Sequence, residues 1–168
     1  MCSSDLVWGE RVFVLTAVPS KTKEAKPAEA SSNSSNASPP SGRQRGVSQP
    51  ETPTAAYQFV VLCLDRKTGR IVWQKTACET VPHEGHHRDH GFASSSPITD
   101  GKHVLAYFGS RGLYCYDMEG NLKWSKDFGD ARTRMAFGEG SSPALYGNTV
   151  IVNWDDESDN DFIVALNK

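Results

Sequence analysis

Short apolar runs alternate with polar turn residues through most of this 168-residue chain. The runs are four to six residues long, are rich in β-branched and aromatic side chains, and end at Gly, Asp, Asn or Pro. This pattern is typical of short β-strands, and no stretch keeps helical spacing over ten residues. The sequence therefore predicts an all-β protein.

The predicted strands recur as a repeat whose first half begins with paired serines and ends at a glycine. Residues 95–101 and 141–147 are two copies of this half, and residues 3–9 are a third, degraded copy. An alternating apolar run follows each copy. A self-similar pattern of this kind indicates a repeat architecture.

The second half of the repeat carries an Asp, then a Gly, then a Trp. It spans 62–73 and 114–124, and a further copy begins at 164–168. Asp65 and Asp117 are 52 positions apart, so the period is close to fifty residues. Units of this length with four short strands are typical of β-propeller blades. In the second unit the strands are predicted at about 94–98, 103–108, 112–117 and 121–126.

The stretches "LDRKTGRIVW" and "YDMEGNLKW" resemble the PQQ-type propeller repeat, in which Ala-x-Asp-x-x-Thr-Gly precedes a Trp. That repeat occurs in quinoprotein alcohol dehydrogenases and in BamB-like outer-membrane assembly lipoproteins. The resemblance implies one partial propeller domain over 1–168, with blades at about 3–80, 94–128 and an incomplete 141–168. Because propellers close with about four to eight blades, we expect about three blades of seven or eight here, and hence part of a longer protein.

The repeat motif itself is expected to be structural. Its Asp bonds the backbone of a turn, and its Gly adopts a positive φ. In the resembled family its Trp lies on the outer strand and packs between neighbouring blades. The residues that carry these roles are Asp65, Gly69, Trp73, Asp117, Gly120 and Trp124.

Two of the four cysteines also follow the repeat. Cys63, Cys115 and Ala165 occupy equivalent positions, which indicates a small buried side chain rather than a reactive thiol. Cys2 and Cys78 have no counterpart in the repeat, and the sequence indicates no role for them.

One segment interrupts the first unit. From Pro19 to Gly46 no side chain is a larger hydrophobe than Ala, and Ser, Pro, Lys and Asn dominate. Such a segment buries too little apolar surface to offset its ordering entropy. We therefore predict a disordered Ser/Pro/Lys-rich insert over 19–55.

Charge and hydropathy exclude two classes of partner. The chain has 18 basic and 20 acidic side chains and a net charge of −2, which does not indicate nucleic-acid binding. No apolar run approaches the length of about 20 residues that a membrane-spanning helix needs. Its first residues lack the pattern of a signal peptide, whereas the resemblance implies a bacterial, extracytoplasmic protein of the periplasm or cell envelope.

Four of the five histidines lie at 83–90, and the stretch His83-Glu84-Gly85-His86-His87 has the spelling of a zinc-peptidase motif. That motif works only on a helix, where both imidazoles share one face. Pro82 and Gly85 oppose a helix, and strands are predicted on both sides. We therefore interpret the stretch as a loop that joins the outer strand of one blade to the inner strand of the next.

Such joining loops line the mouth of the central channel in propellers. The equivalent loop of the next unit, 129–140, carries two arginines. Imidazole and guanidinium groups at one opening predict a binding site for a protein partner or a small anionic ligand. The candidate residues are His83, His86, His87, Arg88, His90, Arg132 and Arg134.

Three functions stay open. The favoured one is a non-catalytic scaffold or binding module that acts through its channel-mouth loops. The first alternative is a quinoprotein-like dehydrogenase, for which the resemblance alone implies PQQ and calcium; we identify no catalytic residue. The second is a metal site on the loop, whose donors would be His83, His86, His87, Asp89 and His90. The acidic stretch 155–161 lacks the order of a calcium loop and is expected to be a solvated turn.

Overall fold

The structure is a computed structural model that describes residues 5–20 and 50–168. Residues 21–49, which form most of the predicted insert, and Cys2 lie outside the described residues. Within the described ranges the chain is built from antiparallel sheets joined by loops and two single-turn 3₁₀ helices, Gly109–Arg111 and Arg134–Ala136. The predicted all-β class, with four-stranded sheets as in propeller blades, is confirmed.

Three sheets follow one another along the chain, each with its strands in sequence order. The first contains β1 (Asp5–Trp8), β2 (Arg11–Pro19), β3 (Tyr57–Asp65) and β4 (Ile71–Thr80). The second contains β5 (Ile98–Thr99), β6 (His103–Tyr107), β7 (Leu113–Asp117) and β8 (Leu122–Lys126). The third contains β9 (Ala144–Tyr146), β10 (Thr149–Trp154) and β11 (Phe162–Asn167).

Strand β5 is shorter than the predicted 94–98 because the residues before it bond to the next sheet instead. The hydroxyl of Ser95 donates to the carbonyl of Ser141 at 2.6 Å, and the Ser96 N–H donates to the Ser142 hydroxyl at 2.9 Å. The paired serines of the repeat therefore join the inner edges of the second and third sheets.

Alternation along β6 places the second sheet between its neighbours. Val104 and Ala106 pack into a core with the first sheet, whereas Leu105 and Tyr107 pack into a core with the third. All four side chains are at most 2% exposed. The sheets are therefore stacked face to face, as blades are in a propeller.

The repeat motif explains how one blade fits the next. The indole N–H of Trp73 donates to the Met118 carbonyl at 2.9 Å, across the first interface. Gly120 lies beneath this ring with φ +83°, and a Cβ there would stand 2.8 Å from the indole. Trp8 covers Gly101 in the same way. Glycine is needed at these turns because the preceding blade's Trp occupies the space of a side chain.

The motif aspartates close their own turns. Asp65 accepts hydrogen bonds from the Thr68 hydroxyl at 2.7 Å and the Thr68 N–H at 2.8 Å, which lower the pKa of its carboxyl. The Lys123 ammonium and the Asn121 N–H do the same for the Asp117 carboxyl and hold its pKa well below the ordinary range. Both turns lie at one end of the blades.

The cysteines at the repeat position are packing residues. Cys63 and Cys115 are fully buried, and burial raises the pKa of both thiols, that of Cys115 to about 11. The equivalent Ala165 is exposed, since no sheet within the described residues covers that face of β10 and β11. Cys78 is half-buried, with its thiol 3.9 Å from the Arg111 carbonyl oxygen.

Strand register decides which connections share a face of the molecule. Tyr57 lies opposite Thr80, Tyr107 opposite Leu113, and Trp154 opposite Phe162. Four connections therefore lie at one end of the blades, and together we call them the loop face: the joining loops 81–97 and 127–143 and the turns 108–112 and 155–161. The turns 65–71 and 117–122 lie at the opposite end.

Candidate functional site

The two joining loops of the loop face are bonded directly to each other. Loop 81–97 contains no helix, so the geometry of a zinc peptidase does not form. Instead, the Glu84 carboxylate turns to the neighbouring loop, where its Oε2 accepts hydrogen bonds from the Thr133 N–H and the Thr133 hydroxyl, both at 3.0 Å. The Glu of the apparent motif thus holds two blades together.

His83 uses both of its ring nitrogens at the same junction. Its Nε2 lies 2.7 Å from the Ala131 carbonyl oxygen, to which it donates, and its Nδ1 accepts from the Arg111 guanidinium at 3.1 Å. Arg111 also pairs with the carboxylate of Asp130. His83 is therefore a bridging residue between the blades.

The next two histidines are also engaged within the loops. Nδ1 of His86 lies 2.8 Å from the His87 carbonyl oxygen, and its ring packs edge-on against Phe92. The backbone N–H of His87 donates to the Phe137 carbonyl at 3.0 Å, and the His87 ring packs against the Phe137 ring. Arg88 and His90 are exposed on the outside of the loop.

The donors of the loops are not assembled as a metal site. Among the residues that the structure describes, no group of three or more His, Cys, Asp or Glu side chains is placed to hold one ion. Nor do the described residues bring carboxylates together as the calcium ion of a quinone site would need. One carboxylate of the acidic stretch instead accepts hydrogen bonds from its own turn.

That carboxylate belongs to Asp156, and its environment differs from the solvated turn expected for 155–161. Asp156 is only 5% exposed and accepts from the Ser158 hydroxyl at 2.6 Å and from the Arg132 N–H at 3.0 Å. These bonds lower the pKa of its carboxyl to about 2. The Glu157 N–H donates back to the Arg132 carbonyl at 3.0 Å, so the acidic turn supports the Arg132 backbone.

Sequence reasoning missed Glu139, a half-buried acid that lies between the two loops of the loop face. Its Oε2 accepts from the Ser110 N–H at 2.7 Å, and the Ser110 hydroxyl accepts from the Ala131 N–H at 2.8 Å. Burial raises the pKa of the Glu139 carboxyl. The repeat places Ser110 in the turn after the second strand of the blade, but only the packing of two blades shows that this turn meets Glu139.

The predicted arginines line a cleft. Arg132 and Arg134 lie with Tyr107 and Trp154 around a cavity of about 270 Å³. His83 lies beside a smaller cavity of about 40 Å³, and the two cavities share Thr133, Gly138 and Glu139 as wall residues. The structure thus brings His83, Arg132 and Arg134 to one region, whereas Arg88 and His90 line neither cavity.

The comparisons with known proteins agree with this architecture. No helix among the described residues is long and apolar enough to cross a membrane. No curated protein matches the chain. The family model described as outer membrane protein assembly factor BamB matches residues 23–167, which is most of the chain. The spaced Asp, Gly and Trp residues, the stacked sheets and this match together show that the chain belongs to the PQQ-like β-propeller repeat family of the BamB type.

Proposed function

We propose that the chain is a non-catalytic binding module that presents its loop face to a protein partner. The observation that carries this proposal is the set of hydrogen bonds between loops 81–97 and 127–143, above all those from Thr133 to Glu84. These bonds occupy Glu84 and His83 of the apparent catalytic motif. They also make two loops from different blades into one surface.

A surface held in this way is suited to recognition. Binding by loops that are already ordered avoids much of the entropy cost of fixing them. The exposed groups carry mixed charge, because Asp155 and Glu157 accompany the basic side chains of Arg88, His90, Arg132 and Arg134. Met135, which is 37% exposed, adds an apolar group. Charges at the rim of an interface guide the encounter and the choice of partner.

The family description supports a protein as the partner. The matching family is described as an assembly factor for outer membrane proteins. This likeness supports a location in the periplasm or cell envelope, where the chain would hold a component of such an assembly. A scaffold of this kind needs a stable shape and a surface, and both are features of the loop face.

Site-specific photo-crosslinking tests the proposal. A photoreactive amino acid is placed at Arg88 or at Arg132 on the loop face, and at Arg70 on the opposite face as a control, in cells of the organism that encodes the chain. We expect the same protein to be captured from Arg88 and Arg132 but not from Arg70. Equal capture from all three positions, or capture from Arg70 alone, would refute a role for the loop face.

The captured protein is then purified and titrated against the chain. Replacing Arg88 and Arg132 together with Gln should weaken its binding, whereas Arg70→Gln should not.

The enzymatic alternative is tested separately, by adding PQQ and Ca²⁺ and measuring dye reduction with alcohols and sugars. Turnover would replace the proposed function. The metal alternative is tested by elemental analysis after dialysis, and metal that is bound by the parent and lost in His86→Ala/His90→Ala would establish it.

A further inference from the structure

The cleft beside Arg132 has an aromatic floor and a charged rim. It lies between loop 127–143 and the turn that follows β10, and its volume is about 270 Å³. Tyr107 and Trp154 form part of its floor and are only 2% and 3% exposed, whereas Arg132 and Arg134 are exposed. A mostly apolar concavity with a few placed polar groups is the usual form of a ligand site.

The Tyr107 hydroxyl is a polar group at this floor that the fold does not use. This hydroxyl forms no hydrogen bond with any described residue. Every fully buried side-chain nitrogen or oxygen in the described part of the chain does have a partner. The small exposed part of Tyr107 must therefore include its hydroxyl, which reaches the cleft. Burial, with the nearby Glu139 charge, raises the pKa of Tyr107, so this group stays a hydrogen-bond donor.

Two cationic side chains at the cleft have no ionic partner among the described residues. Neither Arg132 nor Arg134 forms a side-chain ion pair with a described residue. One acid of the wall, Glu139, is half-buried and accepts from the Ser110 N–H. The remaining acids of the wall, Asp155 and Glu157, are exposed at the mouth. A carboxylate that approaches the two arginines would accept from their unpaired N–H groups.

We propose that this cleft binds a carboxylate that accepts a hydrogen bond from the Tyr107 hydroxyl and pairs with Arg132 or Arg134. Trp154 would lie against the carbon skeleton that carries it. Guanidinium groups suit a carboxylate because their paired N–H donors match its two oxygens. The carboxylate has two sources of the same chemistry, an acidic side chain of a peptide or a small free acid. The inference deepens the proposed function and rests on it for the peptide source alone.

The indole N–H signals of the ¹⁵N-labelled chain provide the test, because four tryptophans are present and one of them, Trp154, lines the cleft. Trp154→Phe identifies its signal. The probes are acetyl-Phe-Glu-amide, its neutral twin acetyl-Phe-Gln-amide, and benzoate. We expect the Trp154 signal to move with the Glu peptide, with roughly tenfold weaker binding of the Gln peptide. A comparable effect of benzoate would identify a free acid as sufficient.

Matched variants separate the cleft from the rest of the surface. Arg132→Gln/Arg134→Gln should weaken the Glu peptide by roughly tenfold, and Tyr107→Phe by a factor of about three, whereas Arg70→Gln should leave it unchanged. The dispersed Trp73 and Trp124 signals report that each variant is folded. Asp155→Asn/Glu157→Gln should strengthen binding, because it removes charge of the same sign at the mouth.

Three results would overturn the proposal: equal binding of the Glu and Gln peptides, unchanged binding in the double arginine variant, or weaker binding after removal of the two acids. The proposed function fails separately, through loss of the crosslinks from Arg88, so cleft binding without crosslinks and crosslinks without cleft binding are distinguishable.

Discussion

Removal of the Glu84 carboxylate should weaken the contact between the joining loops 81–97 and 127–143. Glu84 accepts two hydrogen bonds from Thr133, each 3.0 Å long, and both residues are half-buried. Hydrogen bonds to charged groups contribute about 1.5–3 kcal/mol each where they are well shielded, and neutral ones about 1 kcal/mol. Because this site is partly exposed, we take the value of a neutral bond, about 1 kcal/mol per bond.

Glu84→Ala should therefore lower the free energy of unfolding by about 2 kcal/mol, and Glu84→Gln, which keeps an acceptor, by about 1 kcal/mol. For a chain of this size 2 kcal/mol corresponds to a fall in Tm of about 4–8 °C. Urea unfolding followed by tryptophan fluorescence measures the change as a shift of midpoint at constant slope. Glu119→Ala, an exposed acid on the opposite face, should change stability by less than about 0.5 kcal/mol.

A double-mutant cycle tests the contact itself. Thr133→Val removes one of the two donors and also the acceptor for the Gly138 N–H, which lies 3.1 Å from the hydroxyl. Combining it with Glu84→Ala should give a coupling energy of about 1 kcal/mol, since the second change removes a bond that is already lost. Additivity within about 0.3 kcal/mol, or a Glu84→Ala variant as stable as Glu119→Ala, would refute the reasoning.

Three further predictions are tested by the same unfolding measurement. Trp73→Phe deletes the donor to the Met118 carbonyl and should cost about 1–2 kcal/mol; an unchanged midpoint would argue against that bond. Leu105→Ala should cost about 2–5 kcal/mol, whereas its repeat counterpart Ile151→Ala, on the uncovered face, should cost less than about 1 kcal/mol; equal costs would contradict the assigned packing. The raised pKa of Glu139 means that the folded state holds a proton which the unfolded state has released. The stability that Glu139 contributes is thus complete below the ordinary glutamate pKa and declines as pH rises through the raised pKa of the folded state. Glu139→Gln should therefore make the free energy of unfolding depend less on pH between these two pKa values. An identical pH dependence in the variant and the parent would contradict this prediction.

Local pattern was sufficient for the blade. The order of Asp, Gly and Trp predicted the turns, and Asp65 and Gly69 do form one, with its hydrogen bonds inside a few residues. The short alternating runs predicted the strands, because strand residues point to opposite faces whatever lies around them. Repeat position likewise predicted that Cys63 and Cys115 are packing residues, which burial at both positions supports.

The same logic was weaker at sheet edges. A strand was predicted over 94–98 from the repeat, yet only Ile98 and its successor pair within the sheet. The serines before it bond to the serines of the next repeat, 46 positions away. Ala165 occupies a position that is buried in two other units and is exposed in this one, since exposure depends on what covers a face.

What the sequence alone determined is therefore the period, the strand type and the turn chemistry, all of which depend on neighbours within one blade. Tertiary structure decided the roles of the polar residues. The His-Glu-Gly-His-His stretch is a bridge rather than a metal site because Glu84 meets Thr133, 49 positions away. Asp156 is buried and Glu139 is half-buried because separate segments of the chain meet at them. Such pairings depend on the stacking of blades, and no pattern within a single blade records which donor will face which acceptor.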